Sequence, residues 1–175
     1  MRETDTHVFF WGGELSNWYN CQFKYKGLTF YNSEQAFMWE KAMYFDDIEM
    51  ADKILKTPDP RENKKLGRRV RKFDAEAWAI ASYPVMIAVN LAKYRQGEKS
   101  KDIKYVHSRR ARKVLLETGN KIIVEASPYD KIWGIGLSQH NDDCLDESKW
   151  QGMNLLGKAL MEVREILNEE TNENN

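Results

Sequence analysis

A change of hydrophobic period at Ser33 is the feature that most constrains the fold of this chain. Residues 22–31 alternate apolar and polar side chains around Gly27, which is the pattern of a β-hairpin. From Ser33 onward the apolar residues recur every three or four positions, with Phe37 and Phe45 on one face. The sequence therefore predicts a hairpin followed directly by a helix that Ser33 caps.

Helical patterns fill most of the remaining chain, and strand signals are few. We predict further helices at residues 47–56, 62–71, 74–94, 103–117 and 154–167. Pro84 falls inside the third of these, so a kink or a break is expected there. Residues 8–11 and 121–126 read as strands. Together these patterns predict a helix-rich α+β single domain with a small β-sheet over residues 8–167, and a disordered polar tail at 168–175.

Composition excludes several functional classes. Lys plus Arg and Asp plus Glu both total 27, so no global field favours nucleic acid or a membrane. Cys21 and Cys144 are too few for a disulfide framework and favour a reducing cytoplasm. No apolar run reaches membrane-spanning length, and no membrane partner is expected. The three histidines lack metal-ligand spacing and no phosphate-binding loop is present, so we expect neither a metal nor a cofactor.

The predicted first helix carries a carboxylate and an amine on its apolar face. Glu34 and Lys41 are seven residues apart, which places them about 20° short of two full turns and about 10 Å apart along the axis. Charges aimed into an apolar face cost free energy unless they are paired or used, and burial moves their pKa values toward the catalytic range. The ordinary alternatives are a first-turn carboxylate favoured by the helix dipole and a surface lysine lying along the helix.

Several phrases of the sequence, taken in order, resemble the NADAR domain, also called the YbiA-like family. They lie at residues 10–17, 33–37, 41–42, 66–68, 78, 116–119, 125–127, 130–136 and 150–157. The resemblance covers about residues 8–167. It implies a compact α+β domain that hydrolyses N-glycosidic bonds. Its described substrates are phosphorylated riboflavin-pathway intermediates carrying a ribosylamine, and guanine bearing ADP-ribose on its amino group. Pro84 and the basic stretch 98–112 depart from the family pattern.

The resemblance also implies roles for individual residues. Glu34 and Lys41 become catalytic residues, and Asp130 becomes the acid, base or charge stabiliser that faces the sugar. Trp133 is then the ring that stacks on the base. From sequence alone, an equal alternative for this pair is a turn-capping aspartate beside a core tryptophan. Trp78 is expected in the core.

Four further residues are expected to bind substrate. Gly12, Gly13 and Asn17 would form a loop that lines the pocket and offers free amides, although a plain turn between strands explains the glycines equally well. Arg68 would hold a ribose phosphate or pyrophosphate through its planar guanidinium. The rest of the basic run around Arg68 reads as a solvated helix face.

The expected function is hydrolysis of a ribose–nitrogen bond, with Lys41 as a Schiff-base nucleophile. The substrate is a ribosylated nucleobase or nucleotide, with two candidates. One is a ribosylamino riboflavin intermediate and the other is ADP-ribose on the guanine amino group of DNA or RNA. A second basic run, residues 109–113, slightly favours the larger substrate, which is ADP-ribose on guanine. The alternative from a different class is a noncatalytic module that binds ADP-ribose or nucleotides.

Overall fold

A computed structural model describes residues 1–99 and 102–173 of the chain. The chain forms two compact units, which are described separately below. The terminal unit consists of residues 1–16 together with the chain from Lys113 onward, and the central unit consists of residues 17–112. The helix-rich α+β class with small sheets is confirmed, because six α-helices and five short strands are present in the described part of the chain.

The terminal unit is built on a three-stranded sheet. In their order across the sheet, the strands are β1 (Arg2–Glu3), β2 (His7–Phe10) and β5 (Ile122–Glu125). β1 runs antiparallel to β2, and β2 runs parallel to β5. Helix α6 (Leu155–Glu173) packs against β5, where the Asn154 side chain accepts from Glu125 N at 3.0 Å and donates to Ile123 O at 2.9 Å.

The central unit combines the predicted hairpin with a layer of helices. The hairpin strands are β3 (Phe23–Tyr25) and β4 (Leu28–Phe30), and positive φ angles at Lys26 and Gly27 close the two-residue turn between them. The helices are α1 (Ser33–Tyr44), α2 (Ile48–Leu55), α3 (Pro60–Gly67) and α4 (Ala75–Lys99). α1 packs against α2, α3 and α4. A 3₁₀ turn at Ile103–Tyr105 leads into α5 (Val106–Glu117), within which the division between units falls.

Three predicted boundaries are wrong. Asn32 rather than Ser33 caps α1, since its side chain accepts from Gln35 N. α3 begins at Pro60, which suits a first helical position. Residues 68–71 form a loop, in which the Arg71 backbone and side chain donate hydrogen bonds to Asp47. α6 continues through residues 168–173, where a disordered tail was expected, and residues 174–175 lie outside the described part.

Helix α4 differs from expectation in two further ways. It runs without a break past Pro84, although a kink or break was predicted. An 18-residue window within Ala75–Glu98 has a mean hydropathy of 1.2, so by length and composition alone this helix could cross a membrane. The helix also carries the buried polar side chains of Asn90 and Lys93 and packs against α1 and β3. The absence of a membrane partner stays a prediction.

Candidate active site

The start of α1 is fixed by side-chain hydrogen bonds that the sequence analysis did not foresee. The fully buried Gln35 side chain donates from Nε2 to Ile54 O, Leu55 O and Thr57 O at 3.0, 3.1 and 2.9 Å. Its Oε1 accepts from Tyr31 N at 2.9 Å. These bonds connect the first turn of α1 to the end of α2. Glu34, which precedes Gln35, therefore lies on a rigid part of the helix.

Glu34 and Lys41 lie on the buried side of α1, as the spacing predicted. Their exposed fractions are 7 % and 9 %. The same face buries Phe37 and Met38, and Phe45 follows directly after the helix. A buried carboxylate and a buried amine on one helix face are uncommon in a structural helix, because each charge loses its hydration. The arrangement therefore favours a chemical role over an ordinary amphipathic face.

One aromatic ring contacts the Lys41 amine, and that ring belongs to a cluster of four. The Lys41 Nζ lies 4.0 Å from the centre of the Phe73 ring, close enough for a cation–π interaction. Phe73 packs edge-on against Phe45 at 5.4 Å between centroids, and Trp78 packs against Phe37 at 5.3 Å. We call these four rings (Phe37, Phe45, Phe73 and Trp78) the aromatic wall. Trp78 is buried, as predicted.

The electrostatics of Lys41 reflect both neighbours. Burial lowers the pKa of the Lys41 ammonium from its ordinary value, because the apolar surroundings disfavour the charged form. The negative charge of Glu34 acts in the opposite direction and raises that pKa. Burial is the larger of the two effects, so a larger share of Lys41 is neutral near pH 7 than for a solvated lysine. A neutral amine is what nucleophilic attack on carbon requires.

Asn17 holds the helix start from the side of a preceding loop. Its carbonyl oxygen accepts from Glu34 N at 3.0 Å, and its side-chain oxygen accepts from Asn90 Nδ2 at 3.3 Å. The fully buried Asn90, on α4, also accepts from Ser33 Oγ at 3.2 Å. Asn17 was predicted to bind substrate; in the structure its polar groups bind the protein around Glu34, while its role toward substrate stays a prediction.

The loop that follows α3 carries several basic residues. Arg68 is the C-cap residue of α3, and its side chain is exposed. Gly67 allows α3 to approach α1 closely, since a Cβ there would lie 1.9 Å from Met38 Sδ. An open cleft of about 330 Å³ lies beside the loop, lined by Phe45, Asp46, Asp47, Arg71 and Lys72.

Four of the predicted site residues belong to the terminal unit. Gly12 and Gly13 have φ angles of +99° and +72°, and nothing lies within 4 Å of where their Cβ atoms would be. The Asp130 carboxylate accepts from Ile132 N at 2.9 Å and from Trp133 N at 2.8 Å, so it organises the turn that carries Trp133. Trp133 is half-buried. The catalytic role of Asp130 and the stacking role of Trp133 stay predictions.

The basic run at residues 109–113 is engaged largely within the protein. Arg112 is buried and pairs with Glu98 at 3.3 Å, and Lys113 pairs with Glu117 at 3.7 Å. Arg109 donates to Asp102 O at 2.9 Å. This pattern is typical of a structural helix and weakens the argument from these charges for a nucleic-acid partner. Among the described residues, no cluster of three or more His, Cys, Asp or Glu side chains could hold a metal ion.

Sequence reasoning missed Phe73, Asn90 and the pair formed by Asp47 and Arg71. Phe73 follows a run of basic residues, and a single ring beside them is a weak sequence signal. Asn90 lies in the apolar α4, where an isolated amide is a recognisable signal of a buried hydrogen-bond network. Asp47 and Arg71 are 24 residues apart in two loops, and no local pattern predicts their contact.

Comparisons with known proteins agree with this architecture. The family model described as the NADAR domain matches residues 9–168. An N-glycosidase of Acanthamoeba polyphaga mimivirus is 39 % identical over 176 residues, covering 93 % of this chain and 97 % of that protein. A riboflavin biosynthesis protein of Vibrio vulnificus is 29 % identical over 157 residues, which is 90 % of this chain but 36 % of that protein.

A solved structure shares the fold. The NMR structure of the E. coli protein YbiA superposes with a TM-score of 0.73 at 28 % identity, covering 98 % of this chain and 90 % of that one. The family match spans both compact units and includes every predicted site residue. The chain belongs to the NADAR-domain family.

Proposed function

We propose that this protein hydrolyses the bond between a ribose carbon and the amino nitrogen of a heteroaromatic ring, with Lys41 as the nucleophile. Hydrolysis of an N-glycosyl bond follows from the family and from the N-glycosidases within it. The observation that carries the finer proposal is the buried amine of Lys41, whose pKa is lowered by burial, on the same helix face as buried Glu34.

The reaction divides into two steps at the sugar carbon. A ribosylated amino group can open its sugar ring to an imine, which the neutral Lys41 amine attacks at carbon. The ring amine then leaves with a proton, and a Schiff base joins the sugar to Lys41. Water adds to the Schiff base, the carbon–nitrogen bond to Lys41 breaks, and the free sugar is released. Glu34 would exchange protons with the attacking amine and the leaving nitrogen.

Two substrates are supported by different observations. The exposed Arg68 and Lys72 provide a guanidinium and an ammonium group on the loop that leads from α3 to Phe73, which suits the pyrophosphate of ADP-ribose on guanine. The similarity to a riboflavin biosynthesis protein supports a phosphorylated ribosylamino pyrimidine instead. Both carry a flat ring that the aromatic wall could accommodate. We propose the reducing cytoplasm as the place of action, since Cys21 and Cys144 are free thiols and both are buried.

The test supplies both substrates and follows two products. Pure protein is incubated with ADP-ribosylated guanine DNA and, separately, with the ribosylamino pyrimidine phosphate, and released sugar is measured by mass spectrometry. Sodium borohydride added during turnover should trap the sugar on a peptide that contains Lys41. Lys41→Ala should abolish both release and trapping. Lys53→Ala removes an exposed lysine that pairs with Glu49 and should preserve both, which makes it the matched control.

Three outcomes would contradict the proposal in different ways. Release of sugar from neither substrate would leave the alternative of a noncatalytic binding module, which ligand binding without turnover would support. Full activity of Lys41→Ala would remove Lys41 as the nucleophile. Release without any trapped adduct, together with a Glu34→Gln variant that binds but does not turn over, would indicate direct attack by water.

A further inference from the structure

The loop at residues 68–74 is anchored on both sides of Phe73. On one side, Arg71 N donates to Asp47 Oδ2 at 2.8 Å, and its side-chain Nε and NH2 donate to Asp47 Oδ1 at 3.1 and 2.7 Å. On the other side, Asp74 caps α4 by accepting from Ala77 N at 2.8 Å. Only Lys72, with a φ of +56°, lies between Arg71 and Phe73. The chain is thus fixed on both sides of Phe73, and the ring packs edge-on against Phe45.

The anchor itself is rigid because Asp47 is bound from several directions. The Asp47 side chain is 1 % exposed, and it also accepts from Met50 N at 3.3 Å as the N-cap of α2. Its backbone N–H donates to Ala42 O, one residue after Lys41. The same aspartate therefore connects the end of α1, the start of α2 and the loop that carries Phe73.

We propose that Phe73 is a positioning residue whose ring holds the Lys41 amine in place, and that the Asp47–Arg71 ion pair fixes Phe73 in that position. The inference rests on the proposed function in one respect, namely that Lys41 is the reacting amine. Phe73 has no role in the reaction steps of the proposed function. Phe73 is 47 % exposed, so one part of the ring contacts Lys41 and another faces solvent.

The physical effect of the ring has a definite sign. The negative face of an aromatic ring attracts an ammonium and not a neutral amine, so the contact favours charged Lys41. Glu34 favours the charged form as well, whereas burial opposes it. Among charged groups on the elements around α1, Asp47 and Arg71 neutralise each other, Arg68 is exposed, and Lys93 lies beside the Tyr94 ring at 4.8 Å. Phe73 therefore opposes the effect of burial on the Lys41 pKa and holds the amine in one orientation.

The decisive experiment replaces Phe73 with pentafluorophenylalanine, which keeps the shape of the ring and reverses its charge distribution. Lysine labelled with ¹³C at Cε is titrated by NMR in the ligand-free protein, and Lys41→Arg identifies the Lys41 signal. We expect the Lys41 midpoint to move to lower pH. A midpoint that stays or rises would overturn the inference. The same substitution at Phe23, which is buried in the hairpin core, should leave Lys41 unchanged.

A second variant tests the anchor and guards against misfolding. Arg71→Met removes the two side-chain bonds to Asp47 but keeps the backbone bond, and the Arg71 side chain is 64 % exposed, so the fold should tolerate it. Arg71→Met alone leaves the Asp47 charge without its partner, and that charge by itself raises the Lys41 pKa, so the result is taken from the double variant Asp47→Asn/Arg71→Met, which removes both charges. We expect a smaller shift of the Lys41 midpoint to lower pH in the double variant, and an unchanged midpoint would overturn the anchoring role. Because the titration needs no substrate, a shifted midpoint in a protein without turnover supports the Phe73 contact and contradicts the proposed function alone.

Discussion

Replacing Asp47 by asparagine tests whether one buried carboxylate holds the two loops together. Asparagine keeps the shape of the side chain and remains a good N-cap for α2, so the helix start should survive. The substitution removes the charge that binds the Arg71 guanidinium at 2.7 Å. The amide oxygen can take the place of Oδ1, which caps Met50 N, but the amide nitrogen cannot accept from Arg71 N as Oδ2 does. The loss of stability therefore reports the whole contact between Asp47 and Arg71 rather than the cap.

The size of the effect follows from the pKa of Asp47. Hydrogen bonds from Arg71 lower that pKa from 3.8 to about 2. At about 1.4 kcal/mol per pH unit the difference corresponds to about 2 kcal/mol of stability. Since Asp47 lies just beneath the surface and the Arg71 side chain is 64 % exposed, solvent screens part of this. We expect Asp47→Asn to lower the free energy of unfolding by about 1–2 kcal/mol at pH 7.

The pH dependence of the loss distinguishes the ion pair from other causes. A carboxyl with a lowered pKa stabilises the fold above its unfolded-state pKa, and the stabilisation disappears as the pH falls through the folded-state value. Urea unfolding should show a constant deficit for Asp47→Asn from pH 7 to pH 5. The deficit should shrink from about pH 4 to pH 2. Equal stability of the two proteins at pH 7, or a deficit as large at pH 2 as at pH 7, would contradict this explanation.

The remaining predictions concern the neighbouring contacts of α1. Gln35→Met removes the partner of Leu55 O and Tyr31 N, while Ile54 O keeps Thr57 N and Thr57 O keeps Asn63 Nδ2, and it should lower the free energy of unfolding by about 2 kcal/mol or more in urea titrations. Gly67→Ala places a Cβ 1.9 Å from Met38 Sδ and should cost about 1–3 kcal/mol, with the double variant Gly67→Ala/Met38→Ala less destabilised than the sum of the single variants. Glu34→Gln removes the charge that raises the Lys41 pKa, so the Lys41 titration should move to lower pH; a move to higher pH would contradict the contact.

Local patterns predicted the parts of the site that depend on one element. The spacing of Glu34 and Lys41 is a property of a single helix, and both side chains are buried where the periodicity placed them. The hairpin around Gly27 and the strand at residues 122–125 are likewise local signals. Even the error at the cap of α1 is one residue wide, because Asn32 and Ser33 are both good capping residues and the sequence does not rank them.

Contacts between distant segments could not be predicted in the same way. Asp47 and Arg71 meet because α2 and α3 lie between them and pack against each other, which is a consequence of the tertiary fold. The predicted helix ends at residue 71, whereas α3 ends at Gly67 and Arg71 lies in the following loop, where it binds Asp47. Phe73 lies in the same loop, so no local sequence pattern predicts its contact with Lys41 either. The Asp130 carboxylate bonds the amides of its own turn, as the alternative interpretation described.

Borohydride trapping during turnover tests the central claim most directly. We predict a sugar adduct on the peptide that contains Lys41 when the native protein acts on a ribosylated substrate, with no adduct in Lys41→Ala and an unchanged adduct in the control Lys53→Ala. Sugar release at full rate from Lys41→Ala, or an adduct located on another lysine, would contradict the account.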